Sequence, residues 1–162
     1  MLEVIETDLG KFTNNTLLGL TAQQVYEKEL KRREQIDICL DETKNNKIVE
    51  SKQLLAKWLE GNPLFSKVHS PNGEYYTVTD EKQSLLSRNL MLAQLSQSAT
   101  TTWNSTSNIC EEWTIIELSQ LALEIEAYVR PRIVKQQHYE VMINYCTTKE
   151  ELDTITFDYE VI

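Results

Sequence analysis

Two runs of apolar residues at helical spacing, each with its own start signal, constrain the fold more than anything else in the chain. The longer follows Thr114: Ile115, Leu118, Leu121, Ala122, Ile125, Tyr128 and Val129 recur at three- and four-residue steps. Beyond Pro131 the pattern resumes with Ile133, Val134, Val141, Met142 and Tyr145. Such a stripe buries one face of a helix. Thr114 and Glu117 have capping-box spacing, in which the hydroxyl takes a free amide of the first turn and the carboxylate reaches back to the cap. Pro131 has no amide hydrogen and is expected to kink or divide this helix near Arg130. The shorter run follows Asp80, read as an N-cap with Gln83 three residues on. Its stripe is Leu85, Leu86, Leu90, Leu92, Ala93 and Leu95, with Met91 beside it. Residues 74–79 precede it as a β-prone run, and the two helices are expected to pack on each other and on that strand.

The remaining elements fall around this pair. Ser70-Pro71-Asn72-Gly73 lies between the β-prone runs 64–68 and 74–79, and Asn-Gly between such runs signals a hairpin. A second, looser hairpin or extended loop is expected where residues 100–103 and 109–113 flank Asn104–Asn108. Residues 147–155 offer a last cap, Thr147 or Thr148 with Glu150 or Glu151, and a short final turn. At the other end, residues 2–7 alternate imperfectly, compatible with a strand, before Gly10, Asn14, Asn15 and Gly19 interrupt regular structure. Thr21 with Gln24 opens a highly charged helix to about Leu40. Its apolar positions Val25, Tyr26, Leu30, Ile36 and Leu40 form a narrow seam, fit for a coiled coil or for lying along another surface. A break is expected over residues 41–46, then a helix over 48–59, with Gly61 at its C′ position and Pro63 beyond. These signals predict a mainly α, α+β chain with one or two small hairpins: a helical arm over residues 1–61 and a compact helical domain over 62–162.

Composition narrows the function. A net charge of −9 argues against nucleic acid and anionic membrane surfaces as partners. The three cysteines, Cys39, Cys110 and Cys146, are odd in number and far apart, which suggests a reducing compartment and no disulfide frame. No apolar run approaches the ~18 residues of a membrane span, and the acidic first residues do not resemble a signal peptide. His69 and His138 have no partner at metal-ligand spacing, the chain's four glycines form no phosphate-cradling motif, and the pairs Glu111-Glu112 and Glu150-Glu151 sit where helix starts favour carboxylates. No catalytic, metal or cofactor residue is therefore assigned. Trp103 and Trp113 bracket a polar loop, with Tyr75-Tyr76 beside it in sequence order; either one aromatic of each pair packs in the core and the other caps an edge, or they form an aromatic contact surface for a protein partner. With Tyr26 and Leu30 of the arm, the two tryptophans are the candidate partner contacts.

The order of these signals carries a resemblance. The strand at Gly73-Glu74-Tyr75-Tyr76 is followed by the helix start Asp80-Glu81-Lys82-Gln83-Ser84, the Trp103 loop, Trp113-Thr114 with Glu117-Leu118, and Thr147-Thr148-Lys149-Glu150-Glu151-Leu152. Over about Ser66 to Thr156 this resembles a domain family of unknown function found in tail-fibre and baseplate-associated proteins of tailed bacteriophages. The Ser/Thr/Asn-rich loop and Pro131 depart from that family's pattern. The resemblance implies a structural adaptor, without enzymatic activity, that is made in the host cytoplasm and resides in the virion tail. Its partners would be tail, fibre or baseplate proteins, with homo-oligomerisation possible. The alternative it leaves open is a cytoplasmic tail-fibre assembly chaperone that does not remain in the particle.

Overall fold

The computed structural model describes residues 3–15 and 17–160. Among them the elements run β1 (Val4–Thr7), β2 (Gly10–Thr13), α1 (Ala22–Gly61), β3 (Leu64–Ser66), β4 (Glu74–Tyr76), α2 (Asp80–Leu95), β5 (Thr100–Trp103), β6 (Glu111–Thr114), α3 (Ile115–Tyr145) and α4 (Lys149–Thr154). The strands pair as antiparallel hairpins, β1 with β2, β3 with β4 and β5 with β6. The fold is mainly α with small hairpins, as the sequence predicts.

The cap signals are well realised. Thr21 with Gln24, Thr114 with Glu117 and Thr148 with Glu151 each form a reciprocal capping box. The start of α2 differs by one residue: the cap is Thr79, whose hydroxyl accepts from the Lys82 amide, and Asp80 is the first helical residue. There its carboxylate still faces the positive end of the helix dipole.

The N-terminal strand has a partner that its glycines hid. Val4 pairs with Thr13 and Thr7 with Gly10, so Gly10 opens β2 where a break was expected. Its φ of +121° is a conformation that side chains rarely adopt. Of the expected strand, Leu2 lies outside the described residues.

The break expected at residues 41–46 is also absent, and α1 is one 40-residue helix. Tertiary contacts override the weak local preference there. Leu40 and Ile48 pack on a cluster of Ile143, Leu152 and Ile155, and the Lys44 ammonium donates to the Asn144 carbonyl at 3.1 Å. Gly61 is the last helical residue and Asn62 the cap, so the helix ends two positions later than a C′ at Gly61 would place it.

The β3–β4 hairpin forms, but Ser66 pairs with Glu74, so the connection is seven residues rather than a two-residue Asn-Gly turn. Within it the Gly73 amide donates to the Ser70 carbonyl at 2.9 Å. Gly73 has φ +79°, and a Cβ there would lie 2.2 Å from Phe65 Cζ. Only glycine fits.

The main core gathers Tyr76, Val78, Leu86, Trp103, Trp113, Leu118, Leu121, Ile125 and Val129 around Leu59 of α1. Leu55 and Trp58 pack against the same cluster, so the second half of α1 belongs to the core that residues 62–162 were expected to build alone. In α3 the inward positions keep one phase through Pro131: Leu118, Leu121, Ile125, Val129, Gln136 and Ile143 are buried. The helix is not divided, and the carbonyl that Pro131 leaves unpaired belongs to exposed Ala127, where water can take it. That phase leaves the expected stripe residues Val134, Val141, Met142 and Tyr145 exposed. Leu92 and Leu95 of α2 are likewise exposed, so its stripe is narrower than its sequence suggests.

Leu118 is fully buried. Leu118→Ala should cost about 2–5 kcal/mol in a denaturant titration; a loss under about half a kcal/mol would show that the cluster is not a close-packed core.

Candidate functional site

The candidate partner contacts separate into two groups when placed in the fold. Trp113 stands on β6 at 1% exposure, stacked on the His69 ring at 4.1 Å and edge-on to Tyr76 at 5.7 Å. Trp103 on β5 is 7% exposed, with the Lys82 ammonium over its ring. Both tryptophans fill the core, and of the neighbouring tyrosines Tyr76 is buried while Tyr75 stays exposed, so the tyrosine pair divides between core and edge and the tryptophan pair does not. Strand pairing explains this: β5 and β6 are antiparallel with Thr101 opposite Trp113 and Trp103 opposite Glu111, and the sheet turns both indoles inward. The exposed aromatic pair nearby is instead Phe65 and Tyr75, opposite each other in the β3–β4 hairpin with ring centroids 5.2 Å apart. Their exposures are 47% and 57%.

His69 lies between carboxylates, its Nε2 3.6 Å from Glu111 and its Nδ1 3.6 Å from Glu117. Glu117 is held below the usual carboxylate range, first by its hydrogen bonds from the Thr114 hydroxyl and backbone and, to a smaller degree, by His69. His138 is exposed. No group of three or more His, Cys, Asp or Glu among the described residues is arranged to hold a metal ion.

Tyr26 and Leu30 belong to a different site at the start of α1. Both are half-buried, because the β1–β2 hairpin folds back on the helix and sets Phe12 edge-on to Tyr26, with centroids 5.3 Å apart. Asn14 Oδ1 accepts from the Ala22 amide at 2.9 Å, and Asn15 pairs with Leu20, which closes the loop onto the helix start. The hairpin and the first turns of α1 enclose an open cleft of about 520 Å³. Leu9, Phe12, Leu18, Leu20 and Val25 line it, together with Lys11, Lys28, Glu29, Arg32 and Arg33. Glu29 receives Arg32 at 2.8 Å and Arg33 at 3.0 Å, and these guanidiniums, Arg32 first, pull its carboxyl down to about 2. From the cleft onward, residues 31–39 of α1 are all exposed. Roughly 13 Å of helix, at about 1.5 Å per residue, thus links the cleft that Arg32 and Arg33 line to a groove that Ile36, Cys39 and Leu40 form with Thr147–Glu150 of the body.

A third arrangement had no signal in periodicity. After α4 the chain crosses α1 and α3 as an extended strap. Tyr159 is buried and its hydroxyl donates to the Ser51 carbonyl at 2.9 Å. The Tyr139 hydroxyl contacts both the amide and the carbonyl of Asp158 at 3.1 Å, and Glu160 accepts from the Trp58 indole at 3.1 Å. Beneath it Gln136 donates to the Ser51 hydroxyl at 3.2 Å and to Glu140 at 2.7 Å, so this buried amide is satisfied. Burial pushes the hydroxyls of Tyr159 and, in the main core, Tyr76 up to about 12.

A phenol whose folded value lies above its unfolded value of about 10 favours the fold fully below that value and loses its contribution as pH rises through the folded one. Stability should therefore fall between pH about 10 and about 12. Tyr159→Phe and Tyr76→Phe should each flatten that fall in chemical denaturation; an unchanged profile in both variants would refute the assignment.

No protein-family model matches the chain, and neither a curated protein sequence nor a solved structure does.

Proposed function

We propose that this protein is a structural adaptor of a phage tail, baseplate or tail-fibre assembly. Its N-terminal hairpin and charged helix attach to one component, and its C-terminal body presents a surface to another. The observation that carries the reading is the stretch of α1 over residues 31–39, exposed at every position, which joins a small hairpin unit to the main body. A lone charged helix gains little from its own packing and is held chiefly by partner surfaces, so a chain built this way is suited to bridging two bodies. The exposed Phe65–Tyr75 pair gives the body an aromatic patch of the kind that anchors protein contacts. The resemblance over Ser66 to Thr156 supplies the phage context.

The alternative, an assembly chaperone that leaves before the particle is complete, makes the same contacts and differs in where the protein ends up. Mass spectrometry of purified phage particles from the genome encoding the chain separates the two. Stoichiometric presence supports the structural reading. Absence from particles, with capture on tail-fibre intermediates in the lysate, supports the chaperone. Absence from both overturns the proposal.

A further inference from the structure

We infer that the cleft between the β1–β2 hairpin and the first turns of α1 is the docking site for an acidic, apolar-anchored peptide segment of the protein to which the arm attaches. The inference rests on the attachment reading and adds the chemistry of the partner.

Charge distribution is the first argument. Lys11, Lys28, Arg32 and Arg33 line the cleft with Glu29 as the one acidic residue. The cleft thus collects four of the chain's 16 basic side chains and only one of its 25 acidic ones. Glu29 does not exhaust the guanidiniums it organises. It takes Nε and Nη2 of Arg32 and Nε of Arg33, and the other Arg33 donors remain for a second acceptor. Lys11 is turned to Glu6 on the neighbouring strand, and Lys28 has no ion pair or hydrogen bond among the described residues. The carboxylate nearest the guanidiniums therefore holds them in place, and Lys28 with the remaining Arg33 donors is left for an incoming acceptor.

The floor is the second argument. Phe12, Leu20 and Val25 form an apolar base, and Leu18 on the lip is 63% exposed with its neighbour Leu17 at 96%. At about 520 Å³ the cleft falls within the roughly 300–1,000 Å³ of ordinary ligand sites, enough for a few anchoring side chains. Apolar floor and cationic rim together call for apolar side chains flanked by carboxylates, which an acidic peptide offers. A nucleic acid has no apolar side chains to fill the floor. An anionic bilayer would meet a protein of net charge −9, and a flat surface does not enter a concave cleft.

The test uses the full chain and a fluorescein-labelled peptide, Glu-Leu-Glu-Ser-Phe-Glu-Glu-Leu-Ser-Glu, against a counterpart with every Glu replaced by Lys. Fluorescence anisotropy should show saturable binding of the acidic peptide only. Affinity should drop by about tenfold or more between about 0.1 M and about 1 M salt, where the screening length shrinks from about 10 to about 3 Å. Lys28→Glu, an exposed and unpaired position, should weaken binding by a similar factor without moving the melting temperature, and Arg33→Glu gives a second, independent reversal. Equal binding of both peptides, no saturable binding, or indifference to both substitutions would overturn the inference.

Two further arms assign the cleft elsewhere and also overturn it. One is co-sedimentation with phosphatidylserine–phosphatidylcholine vesicles that Lys28→Glu abolishes. The other is self-association in sedimentation velocity that the same substitution abolishes. Peptide binding by a chain missing from both particles and fibre intermediates would sink the attachment reading and leave the cleft. Particle incorporation without peptide binding would do the reverse.

Discussion

Residues 62–162 expressed alone should be molten or insoluble, whereas residues 40–162 should unfold in one cooperative transition. The core decides this. Leu59, 2% exposed, sits in the same cluster as Trp113 and Leu118, and Leu55 and Trp58 cover its side. Cutting at Gly61 also removes Ser51 and Trp58, the two α1 anchors of the strap. Each buried leucine or tryptophan lost costs about 2–5 kcal/mol, against a total of about 5–15 kcal/mol for a typical domain. Losing several together exceeds that margin. Cutting at residue 40 removes only the hairpin unit and the exposed stretch, while Ile48 stays on the second cluster. Circular dichroism melts of both fragments are the measurement. A sharp transition in 62–162 would restore a domain boundary at Gly61 and would make α1 an appendage.

Trp113→Ala should be the most damaging single substitution in the body, at about 3–5 kcal/mol. The indole is 1% exposed and meets two aromatic rings, flat on His69 and edge-on to Tyr76. Its removal leaves a void lined by the β3–β4 loop, β4 and the start of α3, so three elements lose their common contact. Trp103→Ala should cost less, because that ring is 7% exposed and its cationic neighbour Lys82 can rehydrate. Urea titrations of both variants check the order. A Trp113→Ala loss below about 1 kcal/mol, or a larger one at Trp103, would mean that the indole is not the centre of the core.

Features written in local chemistry were legible in the sequence. Three capping boxes and both C-terminal hairpins are where their residues place them, because a cap or a turn depends on neighbours a few positions away. What escaped depends on distant partners. The helix over residues 41–46 is held by contacts with the ends of α3 and α4. Gln136 is buried because Ser51, 85 residues away, offers it a hydroxyl. The apolar residues past Pro131 suggest a continuing stripe, but the inward phase of α3 runs through Arg132, Gln136 and Glu140, which periodicity in hydrophobicity counts as outward. At the arm, Gly10, Asn14, Asn15 and Gly19 read as interruptions and concealed a hairpin. The available signal was the density of Leu9, Phe12, Leu18 and Leu20 between them, more apolar surface than an unpacked loop leaves exposed. Tyr26 and Leu30 have the spacing of seam residues, and the cleft beside them exists because the β1–β2 hairpin folds back on the helix.

The strap sets an order on folding. Tyr159 reaches Ser51 across 108 residues and Glu160 reaches Trp58 across 102. Closing so long a loop is costly until α1 and α3 already lie side by side, so these bonds are expected to form after the rate-limiting step. Weakening the strap should accordingly leave the refolding limb of a chevron nearly unchanged and steepen the loss of native molecules with time. The C-terminal residues then act as a latch on lifetime, which sets how long an assembled body keeps its shape once it has been made.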